Sequence, residues 1–227
     1  MNLARKTAII VGVLFIFATV LSLISSSLIG AVVNAPDYLV SVSANQNQVI
    51  AGVLVLLATA ASVFLIPAVM FPILKQYNEG IALGYFGFRI FEAITFIVDA
   101  ICSLLLVTLS QEYVNAGAPV ASYFQTTGAL LLGARNWVFP LNPIVFGGGA
   151  LLFYYVLYQS KLIPRWLSAW GLIGAALVLA TGVLGIFGNF LTVLALPIAV
   201  QEMVMAGWLI IKGFNSLAIA PASQKQI

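Results

Sequence analysis

Arg89, Glu92, Asp99 and Glu202 each lie well inside a long apolar stretch of this chain. A charge carried to the centre of a bilayer costs about 2.5–3.5 kcal/mol on insertion scales, so these four side chains must face protein or water. Glu92 and Asp99 follow Arg89 by three and ten residues. At about 100° per residue they fall at roughly 300° and 280° from it, so all three share one face of one helix. Arg89 lies eight residues beyond Ile81 and Glu202 ten before Lys212, which is about 12 Å and about 15 Å of helix. The matched depths predict a pair between Arg89 and Glu202, with Glu92 as a second or competing partner. Asp99 stands nearer the opposite surface, where Arg135 is the base at hand; Gln201, Tyr85 and Asn142 offer further hydrogen bonds.

Two kinds of chemistry suit such a cluster. A buried ion pair would fix one helix against another. A polar pocket near the membrane midplane would bind a ligand, or carry a proton on a carboxylate. Two acids beside one arginine leave a carboxylate in excess, which suits a site. Other chemistry is excluded by composition. The chain has no histidine, which removes the commonest metal ligand and general base, and no cofactor or metal centre is expected. Cys102 is the single cysteine, so no intrachain disulfide forms and the thiol reads as a small packing residue. No candidate nucleophile has an evident activating partner, which places an enzymatic role behind the others. The bases are dispersed with no basic run, so nucleic acid is not an expected partner.

The elements that must position the cluster are membrane spans. Of 227 residues 63% are hydrophobic and 7% charged, against about 25% charged in ordinary soluble domains. A span needs about 20 apolar residues, and six fit, at about 7–33, 49–74, 81–109, 137–158, 165–187 and 190–212. The expected fold is all-α, a polytopic six-helix transmembrane bundle in a single domain over 1–227. The first run is longer than a signal-peptide core and is read as a retained helix. Asn45, Gln46 and Asn47 are expected to cap the second span. Pro119 is expected to break the chain after the third, and 121–132 to form an interfacial or re-entrant helix. Pro140, Pro143 and Gly147–Gly149 make the fourth span either a kinked, closely packed helix or a broken one that bares its backbone. The tail to Ile227 is expected to fray.

Basic residues orient this topology. With both termini cytoplasmic, the inner side holds Arg5, Lys6, Lys75, Lys161, Arg165, Lys212 and Lys225, and the outer side only Arg135. That is the asymmetry of the positive-inside rule. In the fifth span Gly171, Gly174, Ala175, Val178, Gly182 and Gly185 recur on one side. Small residues let helices approach closely in lipid, here for packing within the bundle or for a homo-oligomer face.

Three stretches carry a resemblance: Gly87-Phe88-Arg89 with Glu92, then Leu162-Ile163-Pro164-Arg165-Trp166-Leu167, then Gln201-Glu202 with Trp208 to Phe214. Together the sequence resembles the bacterial family catalogued as domain of unknown function 4386, over nearly the whole chain. The resemblance implies a multi-pass protein of a prokaryotic plasma membrane, and it implies no activity. It also implies that the family's recurrent Arg and Glu of the third span fall on Arg89 and Glu92, and its acid of the last span on Glu202.

The leading expectation is therefore a protein that binds or senses a lipid-like or small amphipathic ligand. Its polar group would meet Arg89, Glu92, Asp99, Arg135, Gln201 or Glu202, and its tail would lie among Phe and Leu side chains in contact with membrane lipid. A small proton-coupled transporter working through Glu92 or Glu202 is the alternative, and a membrane-embedded enzyme the third.

Overall fold

A computed structural model describes residues 3–118, 123–215 and 218. The break expected at Pro119, the residues Ala121 and Ser122, Lys225 and the end of the tail lie outside them. The described residues are helical, with no strand: α1 (Leu3–Val33), α2 (Tyr38–Ala44), α3 (Gln46–Leu74), α4 (Glu79–Asn115), α5 (Tyr123–Ser160), α6 (Arg165–Ile186), a short 3-10 turn (Thr192–Ala195) and α7 (Leu196–Ile211). Six of these segments are long and apolar enough to cross a membrane. The cause is local: long runs of Leu, Ile, Val, Ala and Phe satisfy every backbone group internally only as helices in lipid.

Two local expectations are revised and a third is decided. Residues 123–132 are not a separate interfacial helix but the first turns of the 38-residue α5. Arg135, farther along the same helix, meets Asp99 at 2.5 Å. Asn45 does not cap α3; its side-chain amide donates back to the Ser41 carbonyl at 2.9 Å and closes α2. And of the two readings open for the fourth span the closely packed one holds, since α5 runs as one helix through Pro140, Pro143 and Gly147–Gly149. At about 1.5 Å per residue the 37 residues of α4 reach about 55 Å, well beyond a hydrocarbon core of about 30 Å.

The chain divides into two compact units. The first comprises Met1–Phe17, Ser62–Glu92 and Pro140–Ile227. Its core joins Phe15 of α1, Met70 of α3, Tyr85 of α4, Phe153 and Tyr154 of α5, Leu167 of α6 and Met205 of α7, all buried. Tyr85 and Phe153 stack with ring centres 4.7 Å apart. The glycines of α5 and α6 are where helices meet. A Cβ on Gly147 would stand 3.0 Å from the Leu179 backbone, and one on Gly149 would stand 2.9 Å from the Phe88 Cβ. A Cβ on Gly174 would crowd Ile198, and one on Gly182 would lie 2.7 Å from the Pro140 carbonyl oxygen. The small-residue side of α6 is thus filled by α5 and α7 of the same chain. At one end of this unit Arg5 donates to the carbonyls of Leu209 and Ile210 at 3.1 and 2.6 Å, closing the C-terminus of α7 with a cation.

The second unit comprises Ala18–Ala61 and Ala93–Phe139. Ile29, Val42, Val49, Val53, Leu106 and Val107 form its core. The Ser25 hydroxyl donates to the Gly52 carbonyl at 2.9 Å, tying α1 to α3. Gly117, at φ +82°, and Ala118, at φ +51°, end α4, and the Ala118 amide bonds the Tyr113 carbonyl at 3.0 Å.

Candidate functional site

Arg89 and Glu92 face inward from adjacent turns of α4, at 5% and 4% exposure. Arg89 Nη1 donates to Glu92 Oε2 at 2.7 Å, and its Nε donates to the Tyr85 hydroxyl oxygen at 3.3 Å. Three rings then close around the guanidinium. The centres of Phe15 and Tyr85 lie 5.7 Å from its carbon and that of Phe146 lies 5.3 Å away. Each is within the distance at which a ring face attracts a cation. Because Phe15 comes from α1 and Phe146 from α5, the arginine links three helices through its faces while its charge is balanced within its own helix.

Gln201 and Glu202 come from α7. Gln201 is fully buried, and both ends of its amide are used. It accepts from the Tyr154 hydroxyl at 2.6 Å and donates to the Leu167 carbonyl at 3.0 Å. Glu202 is half-buried and within electrostatic reach of Arg89, Glu92 and Tyr154.

Glu202 comes within electrostatic reach of Arg89, yet the expected pair does not form. Among the described residues no ion pair within 4.0 Å includes Glu202. The reason is geometric: Glu92, three residues on, is an immediate neighbour on the helix surface, and the aromatic enclosure holds the guanidinium there. Glu202 is thus left as a second carboxylate beside a cation that already has its counter-ion.

Asp99 and Arg135 make a separate pair in the second unit. Arg135 Nε donates to Asp99 Oδ1 at 2.5 Å, and Ser103 Oγ donates to the same oxygen at 3.5 Å. Both members of the pair are half-buried. Of the six residues singled out from the sequence, the structure therefore brings together Arg89, Glu92, Gln201 and Glu202 in the first unit, and Asp99 with Arg135 in the second.

Sequence reasoning missed the rings of Phe15, Phe146 and Tyr154. A chain with 15 phenylalanines and 8 tyrosines gives no local signal that marks the few facing a charge. Only the meeting of α1, α4 and α5 selects them.

No curated protein and no solved structure matches the chain. The family described as domain of unknown function (DUF4386) matches residues 10–213, a span that takes in the Arg89, Glu92 and Glu202 cluster and reaches into all six membrane-length helices. The chain is a multi-pass integral membrane protein and belongs to the DUF4386 family.

Proposed function

We propose that this protein binds or senses a lipid-like or small amphipathic molecule in a prokaryotic plasma membrane, both termini cytoplasmic, with the ligand's polar group at Glu202 and the Arg89–Glu92 pair. The observation that carries the reading is Glu202. It is half-buried in an apolar helix, and Arg89, the cation it interacts with among the described residues, is already paired to Glu92 at 2.7 Å. A carboxylate so placed is costly to keep unless a partner satisfies it. A hydroxyl, amide or amine on an otherwise apolar molecule would do so, and the surrounding rings would take its hydrocarbon part. Cytoplasmic termini are supported by Arg5, Lys6, Lys75, Lys161, Arg165 and Lys212, which lie at the ends of apolar segments on that side.

The test is native mass spectrometry of the gently solubilised protein, with the released small molecules identified. A stoichiometric lipophilic species retained by the wild type and lost from Glu202→Gln supports the reading. A species retained equally by both, or an empty protein, overturns it. In the second case proton flux into liposomes, abolished by Glu202→Gln, would establish the proton-coupled transporter instead.

A further inference from the structure

A cavity of about 570 Å³ opens at one end of the first unit, away from the buried cluster. Three elements build it: the turn between α5 and α6 (Lys161 to Pro164), the first residue of α6 (Arg165), and the end of α7 with its following loop (Trp208, Lys212 to Asn215). Hydrogen bonds hold these elements together, since the Asn215 amide donates to the Leu162 carbonyl at 2.9 Å and its side chain to the Lys161 carbonyl at 3.4 Å. The lining contains Lys161, Arg165 and Lys212 and no acidic residue. All three cations are exposed, and among the described residues none is in an ion pair.

Further observations say what the cavity takes. Pro164 precedes α6 and no side chain caps the helix, so its first-turn amides add positive potential where Arg165 stands. Lys161 has φ +55°, a left-handed conformation that ends α5 and turns the chain into the cavity wall. The cavity also lies where two apolar spans end, α6 beginning at Arg165 and α7 ending at Ile211. Trp208 lines it, as indole rings do at headgroup level. Pro164, Trp208 and Phe214, each partly exposed, form its apolar side.

We infer that this cavity binds the phosphate of an anionic phospholipid headgroup, with Lys161, Arg165 and Lys212 as its counter-charges. Free phosphate shares the chemistry, but the depth at the span ends and the apolar wall favour a phosphate that arrives on a lipid. This site is independent of Glu202, and its test does not depend on the ligand proposed there.

The full-length protein, delipidated in detergent, would be titrated with dioleoyl phosphatidylglycerol or dioleoyl phosphatidylcholine and followed by native mass spectrometry. Expected is one tightly held phosphatidylglycerol with no comparable phosphatidylcholine. At about 1 kcal/mol per surface cation, its affinity falls about 150-fold in Lys161→Gln/Arg165→Gln/Lys212→Gln and about 5-fold in Arg165→Gln alone. The single variant serves if the triple one fails to fold. Lys75→Gln, which neutralises a cation outside the cavity, leaves binding near wild type. Equal retention of both lipids, unchanged binding in the Arg165→Gln variant, or an equal loss with Lys75→Gln would overturn the site. Displacement of the lipid by millimolar inorganic phosphate would overturn the lipid as its source.

Discussion

Arg89 is neutralised by Glu92 one turn further along the same helix, at 2.7 Å, and meets its neighbouring helices through the rings of Phe15 and Phe146. An ion pair inside one helix does not set the register of two. What the guanidinium contributes between helices is contact with two aromatic faces.

Replacing Arg89 with Ala leaves Glu92 buried without its counter-ion, which typically costs about 3–5 kcal/mol. A clear fall in the thermal unfolding temperature in detergent is expected. Arg89→Met combined with Glu92→Leu removes both charges and recovers most of the loss, because apolar pairs of similar volume are often as stable as buried ion pairs. If the double variant is no better than Arg89→Ala, the charge balance is not what matters.

Asp99 and Arg135 offer a second pair, between α4 and α5, at 2.5 Å. A double-mutant cycle with Asp99→Asn and Arg135→Gln should give a coupling energy of about 0.5–3 kcal/mol, as for residues in direct contact. Additive effects on unfolding would mean that the pair contributes nothing measurable.

Glycine positions separate into tight and open ones. Gly182 packs where a Cβ would stand 2.7 Å from the backbone oxygen of Pro140, whereas Gly207 has nothing within 4 Å of that point. Gly182→Ala is expected to destabilise by about 1–3 kcal/mol through overpacking. Gly207→Ala should be neutral or gain about 0.5–1 kcal/mol from helix propensity. Comparing the two melting temperatures checks the α5–α6 contact directly.

Lys161 is held at φ +55°, so Lys161→Gly should relieve strain and raise stability by about 1 kcal/mol. The same change removes one of the three cations of the cavity and should weaken phosphatidylglycerol binding about 5-fold. Thermal unfolding and lipid titration on one preparation would read the two opposite effects.

Orientation is open to direct labelling. Cys102 is buried, while Gln76 and Ala116 are exposed at opposite ends of α4. With Cys102 replaced by Ala, a cysteine at Gln76 should be shielded from a membrane-impermeant maleimide added to intact cells and one at Ala116 should react. The reverse pattern would place the basic end outside.

By itself the sequence determined the class and the six spans, and it placed each charge along its helix. These follow from local quantities: apolar length sets where a helix crosses, and 1.5 Å per residue sets how far along it a side chain lies. The sequence did not show that 123–132 continue into the fourth span, because hydropathy cannot tell a separate helix from the first turns of a 38-residue one. Only the tertiary structure decided that Arg89 takes Glu92 and not Glu202, that Phe15 and Phe146 enclose it, and that Lys161, Arg165 and Lys212 share one cavity. Those outcomes depend on how helices rotate and how closely they approach. Glycine at positions such as 147, 174 and 182 permits that approach, but its result is set by contacts among residues far apart in the chain, which no window of sequence contains.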